Sequence, residues 1–361
     1  MKIAIDLSQI IYGTGVSHYR KNLVENLLKI DKQNEYLLFG ASFGQYQKLK
    51  FDIEKLADTR SVVKTIPIPD VLYRLWANKI RFGNVENFFG DFDLLHTSDW
   101  TEPPSGNLKV TTIHDLAPFL LPKFTPRIIR EVHKDRIAWV YKESKMIIVP
   151  SNNTRQDLIG MGFDGSRIKV IYEAPNIDKA TIGEVERVSK KYNIHSKYVL
   201  AIGTNPRKNI DKLIQAFQLA NIGRDMKLFI VGESKKVNSY ERGVRFLGYI
   251  PDEDLSPLLT GANALLFPSL YEGLGIPVLD AFNCGVPVMT SNISSMPEIA
   301  TDAAILIDPH DVRSIKKGIE DVLSKPKTLI TKGFSRVKYF SWQKTASQTL
   351  EVYNEVLKMK K

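Results

Sequence analysis

Two patterns of apolar residues alternate along the chain. Short continuous apolar runs predict buried strands of a parallel sheet, and stretches with apolar residues at helical spacing predict amphipathic helices. The runs in the first half are KIAIDLSQI, EYLLFG, DLLHTS, KVTTIHDL and MIIVPS. Those in the second half are KYVLAIG, MKLFIVGES, RFLGYIP, ALLFPSL, VPVMTSN and AAILIDP. Strands that alternate with helices in this way predict two α/β domains with mainly parallel sheets.

The boundary between the domains is predicted from a change in residue type. After the segment RIKVIYE, the chain continues with Ala174, Pro175 and Asn176, which favour a turn or linker. We therefore assign residues 1–174 to the first domain, 175–341 to the second, and 342–361 to a last helix. With 361 residues, the chain is long enough for each domain to bury its own core.

The stretch from Phe267 to Gly285 carries the clearest sign of chemistry. Its sequence, FPSLYEGLGIPVLDAFNCG, runs from a strand through a glycine-bearing loop into a helix that begins near Pro277. Glycines before a helix N-terminus expose backbone N–H groups that bind a phosphate. The carboxylates of Glu272 and Asp280 can accept hydrogen bonds from hydroxyls. A phosphate beside hydroxyls describes a nucleotide sugar.

Two further loops follow predicted strands. In GTNPRKN, Arg207 and Lys208 come just before a helix, an arrangement suited to a departing diphosphate. His114 ends the strand KVTTIHDL, and ligands of open α/β sheets bind at the carboxyl ends of strands. The alternatives are a solvated charge pair on the first loop and a structural histidine on the second. We favour the functional interpretation of both because of their strand-end positions.

Two short motifs have a structural alternative that we prefer. Gly13 and Gly15 follow the first strand as in a dinucleotide site, but the third glycine and the acidic ribose ligand are missing. We therefore do not expect NAD binding. Asp91 and Asp93 form a D-x-D, a motif that can hold a divalent metal through carboxylate oxygens. We interpret these residues as the polar start of the strand DLLHTS, so no metal site is predicted.

Amino-acid composition limits which binding partners and which cellular compartment we expect. Apolar residues make up 43% and charged residues 25% of the chain, as in soluble globular proteins. The net charge of +10 favours anionic partners, but no basic run interleaved with aromatics indicates nucleic-acid binding. No apolar run approaches the roughly 20 residues of a membrane span, and the N-terminus begins a strand rather than a signal peptide. With Cys284 as the single cysteine, we expect a cytoplasmic protein.

Two segments raise the question of membrane contact. Residues 70–89 mix aromatic and basic residues, which suits either a membrane-facing surface or a helix packed on its own domain. We favour the packed helix. Residues 126–145 predict a basic amphipathic helix, and with the net charge they predict peripheral association with the inner face of an anionic membrane. The basic residues of this helix are Arg127, Arg130, Lys134, Arg136, Lys142 and Lys145.

The stretch from Phe267 to Gly285 resembles the donor-site motif of the retaining glycosyltransferase family GT4, in which seven residues separate two glutamates. Here Glu272 is the first acid, and Asp280, which is one carbon shorter, stands in the second position. GTNPRKN resembles the family's G-x-x-x-P-R-K-N loop, with Thr204 where some relatives carry an arginine. TIHDL resembles the family's histidine element, and the resemblance extends over nearly the whole chain.

The resemblance implies the GT-B fold, which has two Rossmann-like domains whose parallel sheets face a central cleft. It also implies that the C-terminal helix crosses back to the N-terminal domain. The first domain would lie on the acceptor side, and the second would bind the nucleotide sugar. The implied reaction is front-face attack with retention of anomeric configuration, in which the donor's phosphate takes the acceptor proton. It requires no metal ion and no cofactor, because cations and helix dipoles replace the metal.

The resemblance also assigns roles to residues at matching positions. Glu272 would hold sugar hydroxyls at one end of the donor, Arg207 and Lys208 would meet the leaving diphosphate at the other, and Asp280 would hold the ribose. His114 would lie by the far edge of the sugar. The expected catalytic residues are therefore His114, Arg207, Lys208 and Glu272. Further expected donor contacts are Gly15, Thr204, Tyr249, Gly273, Leu274, Gly275 and Asp280, and expected acceptor contacts are Tyr19 and Asp115.

The sequence leaves the substrates open. The donor is GDP-mannose or a UDP-sugar, and the H-D-L-x-P and P-R-K-N elements favour mannosyl- or rhamnosyl-type enzymes of bacterial polysaccharide assembly. The acceptor is a glycan or a lipid-linked acceptor. Two other classes are considered: another nucleotide-sugar or sugar-phosphate enzyme of the same fold, and a catalytically silent basic binding module.

Overall fold

The computed structural model describes residues 1–223, 225–233, 240–241 and 243–359. The chain forms two compact units, one made of Met1–Glu173 with Ser341–Lys361 and the other of Ala174–Phe340. The predicted boundaries differ from these limits by one residue. The last helix belongs to the first unit, so that unit is built from both ends of the chain.

The first unit is built on a seven-stranded parallel sheet in the order β3-β2-β1-β4-β5-β6-β7. Its strands are β1 (Lys2–Asp6), β2 (Glu35–Ala41), β3 (Ser61–Ile66), β4 (Leu94–Ser98), β5 (Leu108–Thr112), β6 (Met146–Val149) and β7 (Ile168–Val170). Its helices before the boundary are α1 (Gly15–Ile30), α2 (Tyr46–Leu56), α3 (Asp70–Leu75), α4 (Val85–Phe89), α5 (Ala117–Leu120), α6 (Arg127–Glu143) and α7 (Asn152–Gly160).

The second unit repeats the plan, with the strand order β10-β11-β9-β8-β12-β13-β14. Its strands are β8 (Tyr198–Ile202), β9 (Lys227–Val231), β10 (Tyr240–Glu241), β11 (Val244–Gly248), β12 (Ala264–Phe267), β13 (Val288–Ser291) and β14 (Ala304–Ile307). Only β10, at the edge, pairs in the antiparallel sense among the strands described. Its helices are α8 (Ile182–Lys191), α9 (Ile210–Leu219), α10 (Asp252–Thr260), α11 (Ile276–Cys284), α12 (Met296–Ala300), α13 (Val312–Ser324) and α14 (Pro326–Val337). The last helix, α15 (Trp342–Lys358), returns to the first unit.

Both sheets reverse their strand order beside the first strand of the unit. β1 lies between β2 and β4, and β8 lies between β9 and β12. Ligands of open α/β sheets bind where the order reverses, at the carboxyl ends of the strands. The loops at these ends are residues 7–14 and 99–107 in the first unit, and 203–209 and 268–275 in the second. The topology thus indicates where each unit has room for a ligand.

The segment 70–89 is not the single helix that its pattern predicts. A π-helical turn, Trp76–Ile80, extends α3, and the chain then turns at Arg81 and Gly83, both at positive φ, before α4. Tyr73 and Phe89 are buried, which agrees with packing on the unit, but Phe82 is 86% exposed. Several other large apolar side chains of the segment are also exposed. Within the described residues, no helix is long and apolar enough to cross a bilayer.

The basic face predicted for residues 126–145 requires one correction, because Arg136 on α6 is buried. Its guanidinium donates to Thr111 Oγ1 at 2.7 Å and lies 3.8 Å from Glu102 Oε2. Lys109 Nζ, also buried, lies 3.2 Å from Glu102 Oε1. Burial would raise the pKa of Glu102, but Lys109 and Arg136 hold that pKa below its usual range. Arg136 therefore fixes the loop after β4 and does not belong to a solvent-facing basic surface.

A chain of hydrogen bonds joins α15 to the sheet of the first unit. The hydroxyl of Tyr353 lies 2.6 Å from His96 Nδ1, and His96 Nε2 lies 2.8 Å from Thr112 Oγ1. Thr112 Oγ1 in turn lies 3.1 Å from the hydroxyl of Tyr19. Burial lowers the pKa of His96 to about 3, so this histidine is neutral near pH 7. The last helix is thus held to the sheet by a neutral polar network.

Candidate active site

The loops after β8 and β12 lie side by side, because these two strands pair in register at Val199 and Ala264. A backbone hydrogen bond of 2.8 Å runs from Leu270 N–H to the carbonyl oxygen of Arg207 and joins the loops directly. Gly203, with φ 92°, turns the chain out of β8, and a Cβ there would lie 2.9 Å from Lys208 Cε. The sheet and this glycine together bring the GTNPRKN loop to the Glu272 loop.

Glu272 lies between two cations. Lys208 Nζ is 2.7 Å from Glu272 Oε1, and Arg207 Nη1 is 3.6 Å from Glu272 Oε2. Burial alone would raise the pKa of Glu272, but the ammonium and guanidinium hold that pKa below its usual range. Glu272 is therefore an ionised carboxylate near pH 7. Lys208 and Glu272 thus form an ion pair, and their assignment to opposite ends of the donor stays a prediction.

Two serines that the sequence analysis missed hold the Glu272 loop. Ser295 Oγ donates to the carbonyl oxygens of Glu272 and Leu274, each at 2.9 Å. Ser294 Oγ accepts from the Glu272 N–H at 3.1 Å. Gly275 has φ 100°, and a Cβ there would lie 2.3 Å from Met296 Cε, so glycine is required. The only sign of the serines in the sequence was their place after a predicted strand, VPVMTSN.

The other expected donor contacts of this loop are buried. Gly273, Leu274 and Gly275 lead directly into α11, whose N-terminus therefore stands beside Glu272. A helix N-terminus carries partial positive charge and favours an anion. The Glu272 loop and the GTNPRKN loop together thus combine a helix dipole with two cations, as the sequence indicated. That its backbone binds a donor phosphate stays a prediction.

Asp280 has an environment unlike that of Glu272. It is 6% exposed, and its Oδ1 accepts the N–H of Asn176 at 2.7 Å. Burial raises the pKa of Asp280 to about 7, although the N–H groups of Asn176 and Ile177 oppose the shift. Asp280 therefore holds the first residues of the second unit against α11. Its contact with a ribose stays a prediction.

Two expected donor contacts lie on neighbouring loops. Thr204 Oγ1 donates to the carbonyl oxygen of Glu233 at 2.5 Å, which joins the loops after β8 and β9. Tyr249 follows β11, and this residue is 69% exposed. Thr204 therefore supports the loop, while the Tyr249 ring is accessible to a ligand. Both donor contacts stay predictions.

His114 follows β5 in the first unit, and Glu173, which follows β7, is its partner. His114 Nδ1 lies 3.0 Å from Glu173 Oε1, and no hydrogen-bond partner for Nε2 is found among the described residues. A carboxylate at Nδ1 fixes the proton on that nitrogen, so Nε2 of the neutral ring is left as an acceptor. Nε2 is buried, and its contact with a sugar stays a prediction. Glu173 was missed because it is separated from His114 by 59 residues.

The structure gives Tyr19 a supporting position. It is 2% exposed, and its ring meets the His114 ring edge-on with centroids 4.6 Å apart. This burial leaves Tyr19 no surface for the acceptor contact that we expected, so we revise its role to positioning His114. Asp115 is partly buried and accepts the N–H of Ala117 at 3.0 Å at the start of α5. Gly15 is exposed and begins α1. Ligand contacts of Asp115 and Gly15 stay predictions.

The D-x-D motif and the single cysteine have surroundings typical of structural residues. Asp93 Oδ2 accepts the N–H of Lys2 at 3.0 Å, so the D-x-D carboxylate extends the start of β1. In the described part of the chain, no three His, Cys, Asp or Glu side chains converge as ligands of a metal would. Burial raises the pKa of the Cys284 thiol to about 11, so this thiol stays protonated near pH 7.

The fold of the chain is that of the GT-B glycosyltransferases. The sucrose-phosphate synthase of Thermosynechococcus elongatus has a TM-score of 0.72 and 18% identity, and the match covers 99% of this chain and 100% of that one. Anabaena Alr3699/HepE, solved in complex with UDP and glucose, has a TM-score of 0.68 and 16% identity over 98% of this chain and 100% of its own. These structures confirm the predicted fold.

The sequence identifies the family. Residues 15–179 match Glycosyltransferase Family 4, and residues 184–331 match the family described as glycosyl transferases group 1. The O-antigen chain mannosyltransferase B of Escherichia coli is 31% identical over 98% of this chain and 99% of its own length. The O-antigen chain mannosyltransferase RfbU of Salmonella typhimurium is 24% identical over 87% of this chain and 88% of its own. The chain belongs to the GT4-like glycosyltransferases, and it is a transferase, as the motifs predicted.

The losses in unfolding free energy caused by removing the Glu272 and Lys208 side chains should not be additive. Lys208→Ala leaves a buried carboxylate with one cation 3.6 Å away, and Glu272→Ala leaves two neighbouring cations without their shared anion. A double-mutant cycle of urea unfolding should give a coupling free energy of about 1–3 kcal/mol.

The matched control is the ion pair between Lys316 and Glu320 on α13, which has the same 2.7 Å separation but is more exposed. Its coupling free energy should not exceed about 0.5 kcal/mol. Additive losses for Glu272 and Lys208 would contradict the importance of the buried pair.

Replacing Asp280 should change how stability depends on pH. A carboxyl whose pKa rises to about 7 on folding keeps its proton in the folded protein while the unfolded chain releases it above about pH 4. Wild type therefore loses stability through this group as pH rises from about 4 to about 7. Asp280→Asn removes the proton equilibrium and keeps an oxygen for the Asn176 N–H. Its thermal midpoint relative to wild type should rise across that interval.

The control for this experiment is Asp211→Asn, which changes an exposed aspartate in the first turn of α9. Its midpoint relative to wild type should stay constant over the same interval. An Asp280→Asn variant that follows wild type at every pH would contradict the raised pKa.

Proposed function

We propose that the protein transfers a mannosyl residue from GDP-mannose to a hydroxyl of a growing polysaccharide, with retention of anomeric configuration and without a metal ion. A hexosyl transfer from a UDP-sugar is the alternative for the same site. The observation that carries the proposal is the ionised Glu272 between Lys208 and Arg207, beside the N-terminus of α11. The names of the Escherichia coli and Salmonella typhimurium relatives support the choice of mannose and of a polysaccharide product.

The two cations suit the leaving group. As the bond between the sugar C1 and the diphosphate oxygen breaks, negative charge grows on that oxygen, and preorganised cations stabilise it. A diphosphate that binds Lys208 releases Glu272 Oε1, now 2.7 Å from the ammonium, to accept hydrogen bonds from sugar hydroxyls. Donor binding thus replaces the Glu272 carboxylate with the diphosphate as the anionic partner of Lys208. The carboxylate is then available to bind the sugar of the same donor.

The proposed proton acceptor is the donor itself. The acceptor oxygen approaches C1 on the face of the leaving phosphate, and a phosphate oxygen takes its proton as the new C1–O bond forms. A route through a protein nucleophile needs an ionised carboxylate directed at C1. Both carboxylates of the site are held by other groups, Glu272 by cations and Asp280 by backbone N–H groups, which favours the direct route.

His114 supports the same function from the first unit. Its Nε2 is buried and unpartnered among the described residues, while Glu173 holds Nδ1. A buried acceptor that lacks a donor costs free energy, and a sugar hydroxyl would satisfy it. We assign His114 to the transferred sugar, as the family resemblance implied.

We further propose that the first unit contacts the cytoplasmic face of an anionic membrane. Arg127, Lys134 and Lys142 are exposed on α6, and Ile128, in its first turn, is 74% exposed. Exposed cations beside an exposed apolar side chain are suited to the headgroup region of a bilayer. The buried Arg136 takes no part in this surface.

The function is tested by assaying a panel of nucleotide sugars with a metal chelator present. GDP-mannose should be consumed at the same rate with and without the chelator, and NMR should show the donor's anomeric configuration in the product. Lys208→Ala should lower kcat by on the order of a hundredfold, because it removes charge stabilisation from the leaving group. Lys190→Ala, an exposed lysine on α8, is the matched control and should leave kcat unchanged.

Three results would refute parts of this proposal. An inverted product would exclude front-face retention. Turnover that is lost with the chelator, restored by manganese and abolished by Asp93→Asn would show that the D-x-D binds a catalytic metal. Consumption of no nucleotide sugar would refute the transferase chemistry assigned to the Glu272 site.

Membrane contact is tested by co-sedimentation with vesicles. Binding to anionic vesicles should fall steeply as salt is raised, because screening weakens attraction between exposed charges. Lys134→Glu should weaken binding, and Lys190→Glu, on the second unit, should not. Equal binding to neutral and anionic vesicles, or binding to neither, would contradict the proposal.

A further inference from the structure

Residues 176–180, near the start of the second unit, are held by side chains of two helices, and we call them the entry segment. On α11, Asn283 Nδ2 donates to the carbonyl oxygen of Ile177 and to Asp178 Oδ1, each at 2.9 Å. On α10, Thr260 Oγ1 accepts an N–H of the segment at 3.0 Å. The entry segment is therefore bonded to both helices, largely through its backbone.

Asp280 takes part in the same set of contacts. Its Oδ1 accepts the Asn176 N–H at 2.7 Å, and the N–H of Ile177 is a second donor to this carboxylate. Cys284 Sγ lies 3.7 Å from a carbonyl oxygen of the entry segment. Asp280, Asn283 and Cys284 follow the i, i+3, i+4 spacing of one helix face. That face of α11 is therefore turned toward the entry segment.

Asp280 and Glu272 are equally buried, but their partners differ in kind. Both residues are 6% exposed. The partner of Glu272 is the ammonium of Lys208, which a diphosphate can also bind. The partners of Asp280 are backbone N–H groups, and a buried N–H that loses its acceptor costs free energy. A donor can thus take the place of Glu272 at its cation, whereas it supplies nothing that replaces Asp280 at the backbone.

The length of the side chain points the same way. The family motif has a glutamate where this chain has Asp280, which is one carbon shorter. The shorter side chain keeps its carboxylate close to the α11 backbone, where the two N–H groups occupy it. Little carboxylate surface is left for a ribose hydroxyl.

The helix that Asp280 belongs to also carries the donor loop. α11 begins at Ile276, directly after the Glu272 loop, and Asp280 follows about 6 Å along the helix axis. Contacts at Asp280 and Asn283 hold the later turns of this short helix. A helix held in this way keeps its N-terminus in place for the diphosphate of the proposed donor.

We infer that Asp280 is a positioning residue that holds the entry segment to α11, and that it does not bind the ribose of the donor. The inference rests on the proposed function, since it concerns the donor that this function requires. It departs from the role that the family resemblance assigns to this position. Asp280 should therefore contribute nothing to the distinction between ribose and deoxyribose nucleotides.

The test compares nucleotides that differ only in the ribose. Calorimetry measures the affinity of the full chain for GDP and UDP, each also in its 2′-deoxy and 3′-deoxy forms. The ratio of the ribose affinity to the deoxyribose affinity should be the same within about twofold in wild type, Asp280→Asn and Asp280→Ala. A hydroxyl bonded to a charged carboxylate contributes about tenfold or more to affinity. If Asp280 bound the ribose, the ratio would fall by that factor in Asp280→Ala.

The positioning role is tested by a matched variant on the same helix face. Asn283→Ala and Asp280→Ala each remove a bond to the entry segment, and both should weaken the ribose and deoxyribose forms by the same factor. Both should speed amide hydrogen exchange in the peptide that contains the segment, followed by mass spectrometry. Asp280→Asn keeps an oxygen for the Asn176 N–H and should restore slow exchange. Asp211→Asn, on the exposed surface of α9, is the control and should change neither measurement.

Two results would overturn the inference. One is a ratio that falls about tenfold or more in Asp280→Ala and stays constant in Asn283→Ala, which would assign Asp280 to the ribose. The other is unchanged exchange of the entry segment in Asp280→Ala. If the alanine variant does not fold, Asp280→Asn decides, because loss of the charge alone would lower the ratio at a ribose ligand. Failure of the proposed function would appear instead as binding of no nucleotide, while the exchange measurement still tests the hold on the entry segment.

Discussion

The ion pair between Glu272 and Lys208 is the interaction on which the second unit depends. A carboxylate so little exposed stays ionised only if cations compensate for its lost hydration, and these cations come from a loop 64 residues earlier. The pairing of β8 with β12 makes that approach possible, and the left-handed Gly203 and Gly275 direct the two loops toward each other. Sheet order, glycine positions and supporting serines in this unit thus support one electrostatic arrangement, which is also the arrangement that we propose for binding the donor diphosphate.

The candidate ligand-binding groups of the first unit differ in chemistry from those of the second unit. A charged cluster in the interior of the first unit, made of Glu102, Lys109 and Arg136, fixes the loop after β4, which contains Glu102. His114, which the proposed function assigns to the sugar, is instead held by the Glu173 carboxylate and has a ring nitrogen without a hydrogen-bond partner among the described residues. Spare neutral acceptors suit hydroxyl groups, whereas paired cations suit phosphates. The two units therefore differ in chemistry although their sheets follow the same plan.

Local patterns in the sequence were sufficient for much of the fold. Buried parallel strands appear as continuous apolar runs, the boundary appears as a change to Pro175 and Asn176, and the motif around Glu272 identifies the family. The features that the sequence did not predict depend on contacts between residues far apart along the chain. The burial of Arg136, the Glu173 partner of His114 and the turn at Arg81, a non-glycine residue with φ 54°, have no local signature.

The network from Tyr353 through His96 to Tyr19 has a consequence for biosynthesis. Tyr19 packs on His114, yet its polar support comes from a helix made of the last residues of the chain. A ribosome synthesises the N-terminal part first, at about 5–20 residues per second. The sheet of the first unit is therefore complete before its final helix exists, because the entire second unit is synthesised between them. During that interval the surface for α15, with its buried His96, is uncovered. Translation of this chain therefore produces a first unit that can complete its fold only after α15 has been synthesised.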